Sequence, residues 1–157
     1  MVFREVDRNE VIAGLSKYFN IQELVCPHTY ERFGEASWQF LNTYMLAWLL
    51  LMRTEIFKAP MYINTKSQTQ RGLRCIMCDI VKNKKAVYLS GHVLAEADDA
   101  TVQGLTAEEA RQKIKDYAKD HPEKCPCPLR LEKGVTWLHF DVMQQWGVKE
   151  MVYEFKA

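Results

Sequence analysis

An excess of charge of either sign is the first thing this sequence lacks. Its 21 lysines and arginines are offset by 20 aspartates and glutamates, a formal net charge of +1 over 157 residues. No broad electrostatic field therefore points to nucleic acid. The basic clusters VKNKK (81–85) and RQKIKDYAKD (111–120) are short and mixed with acids, and read as solvated surface. Long apolar runs are missing too. The most apolar stretch, YMLAWLLLM at 44–52, falls well short of the about 20 residues that span a bilayer and is followed by RTE. Stable membrane insertion is not expected. The N-terminal stretch is charged throughout, with no apolar core or small-residue cleavage site of a signal peptide. The expectation is a soluble protein made in the cytoplasm, which needs another carrier to act beyond the membrane. Repeats, low-complexity tracts and linkers are absent, so one domain over 1–157 is expected, long enough for a real core.

Cysteine is present in an odd number: Cys26, Cys75, Cys78, Cys125 and Cys127. An odd count without an export signal favours free thiols over a disulfide framework. The pairs CIMC and CPC together offer four thiolates to a structural zinc, but a CxC pair is a tight chelate, and free or partly buried thiols are the preferred reading. His28 and His121 have no evident partner and read as surface or capping residues.

The periodicity of Trp38, Leu41, Met45, Trp48, Leu49, Met52 and Ile56 predicts a core-facing helix from about Ala36 to Phe57, bracketed by Gly34 and Pro60. A weaker helix precedes it at about 8–18. MYINT (61–65) predicts a short strand, followed by a long polar loop with a short helix near 75–82. AVYLS (86–90) and EADDATV (96–102) read as extended. LTAEEARQKIKDYAKDH predicts a helix with Thr106 as N-cap and Glu109 three residues on, a capping box. CPCPLRLEKGVTWLHFDV predicts two strands around a turn at EKG, and EMVYEF a further strand. The order predicts an α+β fold, a small, mainly antiparallel sheet packed with helices.

Strand alternation places Trp137, His139 and Asp141 on one face and Thr136, Leu138 and Phe140 on the other. Leu138 and Phe140 suit a core, so the His139 face should open onto a cleft. His92 lies in a strand or turn with acids close behind. Two histidines and a carboxylate suffice to hold a catalytic zinc with the fourth position left to water.

The stretch SGHVLAEADD resembles the S-x-H-x-x-G-x-A-x-D signature of the D-Ala-D-Ala metallopeptidases, with Ser90, His92, Ala97 and Asp99 falling on it. That family includes zinc carboxypeptidases of bacterial walls, vancomycin-resistance dipeptidases and phage endolysins, and its fold recurs in the Hedgehog signalling domain. WLHFDV resembles the family's second motif, in which a histidine closes the metal site. An amphipathic helix, then APMYINT, then the arginine-bearing loop QRGLRC, stand upstream in matching order. The resemblance spans roughly 20–145. It implies a Hedgehog/DD-peptidase-like fold, a zinc ion on His92, Asp99 and His139, and hydrolysis of an amide next to a D-amino acid in peptidoglycan stem peptides, in the manner of a phage or prophage lysin. It selects Asp99 over Asp98, which the strand sends to the other face. It also implies that Arg74 or Arg71, with Arg74 preferred, binds the substrate carboxylate or polarises the scissile carbonyl.

Two positions depart from the pattern. Many family members carry a glutamate or histidine three residues before the last metal histidine, and here that position is Thr136, which cannot act as a base. Asp141 could take the proton or could hold the His139 ring, and Glu132 across the hairpin is a third candidate. Ala95 stands where the family usually has glycine. If the backbone there needs a positive φ, alanine costs on the order of 1 kcal/mol. A non-catalytic metal-binding module on the same fold, which binds wall peptide or a protein partner, is the alternative, favoured by Thr136.

Overall fold

The longer helices begin where a side chain satisfies, or a proline removes, a backbone N–H of the first turn. The computed structural model describes residues 3–157. Helix α1 (Arg8–Leu15) starts at Asp7, whose carboxylate accepts the backbone N–H groups of Asn9 and Glu10. Helix α2 (Pro27–Phe33) opens on Pro27, whose missing N–H costs nothing at a first turn. Helix α3 (Thr43–Leu51) is capped by Asn42, which accepts from Tyr44 and Met45. The brief α4 (Asp79–Lys82) follows Cys78. Helix α5 (Ala107–Asp120) has the predicted capping box: Glu109 N–H donates to the Thr106 hydroxyl, and Thr106 N–H to the Glu109 carboxylate.

The helix predicted over 36–57 is three pieces. Residues Gly34–Phe40 form a 3-10 helix, α3 takes up the middle, and Met52–Ile56 closes as a π turn. The break is at Asn42, in an extended conformation with its side chain turned back on the next turn. The apolar period runs across this break, and an asparagine's preference for its own backbone overrides it. Leu41, Met45, Trp48, Leu49 and Met52 are buried as expected, while Trp38 and Ile56 are only partly so.

Five strands form one sheet in the order β1-β2-β4-β3-β5. They are β1 (Met61–Tyr62), β2 (Ala97–Val102), β3 (Leu129–Glu132), β4 (Leu138–Asp141) and β5 (Val152–Phe155). Three pairings are antiparallel, and β5 joins β3 in parallel, so the sheet is mixed. The α+β class stands. Residues 86–90 form no strand. Val87 and Leu89 are largely exposed there, so nothing rewards pairing that segment. The strand expected at 61–65 shrinks to two residues, because Asn64 leaves the ladder to cross-link other loops.

Alternation on the central strands separates chemistry from core. Leu138, Phe140, Leu129 and Leu131 point into the hydrophobic cluster with Trp48, Ile63 and Ile114. His139, Asp141, Arg130 and Glu132 take the other face. Buried Arg111 on α5 ties down the β3–β4 connection, donating to the carbonyls of Glu132, Val135 and Trp137. No helix among the described residues is long and apolar enough to cross a membrane.

Candidate metal centre

The sheet register builds the site as a row. Asp99 on β2 pairs with His139 on β4, and Ala97 pairs with Asp141. On the other side Arg130 pairs with Asp141 and Leu131 with Phe140. One step along that register puts Glu132 opposite His139. Asp99, His139 and Glu132 thus stand side by side across three strands, one strand spacing apart. Arg130 and Asp141 form the next row.

His92 reaches the row from the turn at 91–95, just before β2. That turn folds tightly onto the strand. A Cβ on Gly91 would come within 2.7 Å of the Ala97 Cβ, so both positions must be small. Ala95 has φ 59°, a left-handed conformation that a glycine would take without strain. Its carbonyl accepts from Asn42 N–H, which joins the turn to the cap of α3.

His92, Asp99 and His139 are all buried, and their ligand atoms lie within 4.8 Å of one another. His92 Nδ1 lies 3.0 Å from the Gly72 carbonyl. A carbonyl only accepts, so Nδ1 carries a proton, and Nε2 is the ring nitrogen turned toward Asp99. That Nε2 has no hydrogen-bond partner, although Asp99 Oδ2 lies 3.2 Å away. A buried imidazole nitrogen facing a carboxylate oxygen is a place for a positive charge, a proton or a metal ion. This orphaned atom is the observation by which the residues fit a zinc ion.

His139 is held from both ends. Its Nδ1 is 2.7 Å from Asp99 Oδ1 and its Nε2 is 3.0 Å from Asp141 Oδ2. Burial alone would lower its pKa, but the bonds to Asp141 and Asp99 outweigh burial and hold it up at about 9. With no metal bound, a doubly protonated ring bridges two carboxylates. A metal on Nδ1 must displace that proton, leaving Nε2–H donating to Asp141. Burial pushes the Asp99 carboxyl up, yet His139 and His92 beside it hold it well below the usual carboxylate range.

Asp141 is fully enclosed and spoken for. Arg130 Nε and Nη2 meet its two oxygens at 2.7 and 3.0 Å, and Met143 N–H donates to Oδ1. Arg130 also lies 4.4 Å over the Phe155 ring. Arg74 is buried against Asp99, with Nη2 3.2 Å from Oδ2 and Nε donating to the Gln70 carbonyl. Arg71 points elsewhere, to Gln68 and Thr101, while its backbone carbonyl accepts from Asp99 N–H.

Asp98 faces the core beside Phe140 and is fully buried, with neither carboxyl oxygen bonded. Burial, with Asp99 next to it, pushes its carboxyl well above the usual range.

A cleft of about 320 Å³ lies over His92, Asp99 and His139, walled by Arg74, Tyr88, Glu132 and Trp137. A second hollow of about 510 Å³ shares Arg74, Asp99 and Trp137 with it and extends to Arg71, Gln70, Thr101 and Thr136.

The sequence reading missed a second cluster. Cys26, His28, Cys75 and Cys78 bring one ligand atom each to within 4.8 Å of one another. The CIMC pair therefore meets Cys26 and His28, not the CPC pair. Cys125 and Cys127 are buried elsewhere, their thiols turned to the carbonyls of His121 and Pro128. His28 is no mere surface residue, although it is exposed. The CPH spacing at 26–28 beside CIMC was the available signal.

No protein-family model matches this chain, and no curated protein or solved structure matches it either.

Proposed function

We propose that this chain is a zinc-dependent peptidase of the Hedgehog/DD-peptidase type that hydrolyses peptide bonds in peptidoglycan stem peptides. The observation that carries the reading is the orphaned Nε2 of buried His92, aimed at Asp99 and His139 on the floor of an open cleft. Three protein ligands with cleft above them are the donor set of a catalytic rather than a structural zinc. A zinc ion held there supplies Lewis acidity, which lowers the pKa of water to about 7 and polarises a carbonyl.

The chain's own groups divide the remaining work. Glu132 takes the proton of the attacking water and returns it to the departing amine. It stands opposite His139, lines the cleft, and makes no ion pair among the described residues, so it is free to move a proton. Asp141, locked between Arg130 and His139, orients the His139 ring. Arg74 lines both hollows next to Asp99 and offers a guanidinium fork to the substrate carboxylate or scissile carbonyl. Half-exposed Trp137, between the two hollows, gives the peptide an apolar face to lie on. The larger hollow runs on past the metal residues, which favours a chain cut internally over one trimmed at its end.

The test is incubation of the zinc-loaded protein with purified peptidoglycan, followed by measurement of newly exposed amines. Steady release that stops on chelation supports the reading. No release across several wall types rejects it in favour of the second reading, a metal-binding module without hydrolysis. Thr136, where relatives by resemblance place an acid or histidine, is the feature that favours that alternative.

A further inference from the structure

The second ligand cluster lies apart from the cleft. None of Cys26, His28, Cys75 and Cys78 lines either hollow around His92, Asp99 and His139. The geometry points to a structural zinc site in which Cys26, His28, Cys75 and Cys78 are the four ligands. It is independent of the proposed peptidase centre.

Spacing supports a tetrahedral ion. Cys75 Sγ and Cys78 Sγ lie 3.7 and 3.9 Å from His28 Nδ1. Zinc bonds of about 2.3 Å to sulfur and 2.0–2.1 Å to nitrogen give tetrahedral edges of roughly 3.5–3.8 Å. The remaining ligand pairs lie within 4.8 Å, so a modest contraction of the set seats the ion. Three thiolates and an imidazole favour zinc over hard cations, and four protein ligands leave no open position for chemistry.

The surroundings are arranged for sulfur ligands. Cys75-x-x-Cys78 closes a tight turn, with Cys78 N–H donating to the Cys75 carbonyl and Met77 N–H to the Cys75 sulfur at 3.4 Å. The Cys26 sulfur has the Thr29 hydroxyl at 3.1 Å. Binding would release the thiol protons to solvent, with no redox change.

The site has a mechanical consequence. Residues 24–26 and 72–74 run side by side: Leu73 N–H donates to Leu24 O, Cys26 N–H to Leu73 O, and Val25 bridges Leu73. Gly72 sits so close that a Cβ would come within 2.2 Å of the Leu24 carbonyl oxygen. Gly72 O fixes the His92 tautomer, and Arg74 packs on Asp99. A zinc bridging the start of α2 to Cys75 and Cys78 would clamp the arginine turn from residues that line neither hollow.

Metal content of the full chain, purified with zinc and desalted, tests this. The expected value is two zinc ions per chain, falling by one in a His92→Ala/His139→Ala variant and by a different one in a Cys75→Ser/Cys78→Ser variant. If the peptidase centre alone fails, the unaltered chain keeps one zinc, which only the cysteine variant loses. Should the cysteine variant not fold, cobalt added to the unaltered chain reads the same site. Thiolate-to-cobalt charge transfer with the d–d bands of a tetrahedral ion is expected. Absence of that charge transfer, zinc unaffected by the cysteine substitutions, or a disulfide among Cys26, Cys75 and Cys78 in the freshly purified protein would overturn the site.

Discussion

The two ligand clusters meet at one short segment, residues 72–78, which touches the first through Gly72 and Arg74 and supplies Cys75 and Cys78 to the second. His92, Asp99 and His139 come from a turn and two strands of the sheet, are buried, and open onto a cleft. Cys26, His28, Cys75 and Cys78 come from a helix start and a loop, number four, and line no part of that cleft. The first neighbourhood breaks local rules: a non-glycine at positive φ, a fully buried aspartate without a partner, an imidazole nitrogen left unbonded. Departures of this kind gather where function competes with stability. The second neighbourhood is orderly, its turns closed by ordinary backbone bonds. If the proposals hold, the difference teaches that ligand count and access, more than residue type, separate a centre that reacts from one that fastens.

The largest expected effect is a double dissociation. His92→Ala or His139→Ala abolishes amine release from peptidoglycan while the fold, followed by circular dichroism, persists. Cys75→Ser lowers the melting temperature by far more than either. Equal effects of both substitutions on melting would erase the contrast.

Next comes the division of labour in the cleft. Glu132→Gln should reduce turnover about 10²–10⁴-fold with zinc retained, as loss of a general base does. Asp141→Asn should cost about 10–100-fold, partly through weaker zinc affinity, as loss of a ligand-orienting group does. Reversal of that order would make Asp141 the base.

Repairing the broken rules should raise stability only in the first neighbourhood. Asp98→Val removes an unbonded carboxyl from the core and suits a strand, so urea unfolding should show a gain of about 1–3 kcal/mol. Because the native state keeps this carboxyl protonated far above its unfolded pKa, it costs more stability as pH rises from about 4. The gain from valine should therefore grow with pH. The smallest effect is Ala95→Gly, which relieves the left-handed backbone and should add up to about 1 kcal/mol without loss of zinc.

Much of this architecture was legible in the chain. Thr106 and Glu109 announced α5, and alternation around His139 separated the core face from the cleft face. Asp99 and Asp98 went to opposite sides of β2 for the same reason. The interruption at Asn42 was hidden because the apolar period runs through it. The parallel docking of β5 and the bidentate hold of Arg130 on Asp141 depend on contacts between segments, for which no local pattern exists. Cys26 and His28 lie far in sequence from Cys75, and only the pairing of 24–26 with 72–74 brings them together.

The most direct measurement is a crystal structure of the zinc-loaded protein with anomalous scattering recorded at the zinc edge. The account predicts an ion bound by His92 Nε2, Asp99 and His139 Nδ1, with a solvent oxygen in the fourth position within hydrogen-bond reach of Glu132. No ion among those three residues, or a fourth protein ligand closing the position, would contradict it.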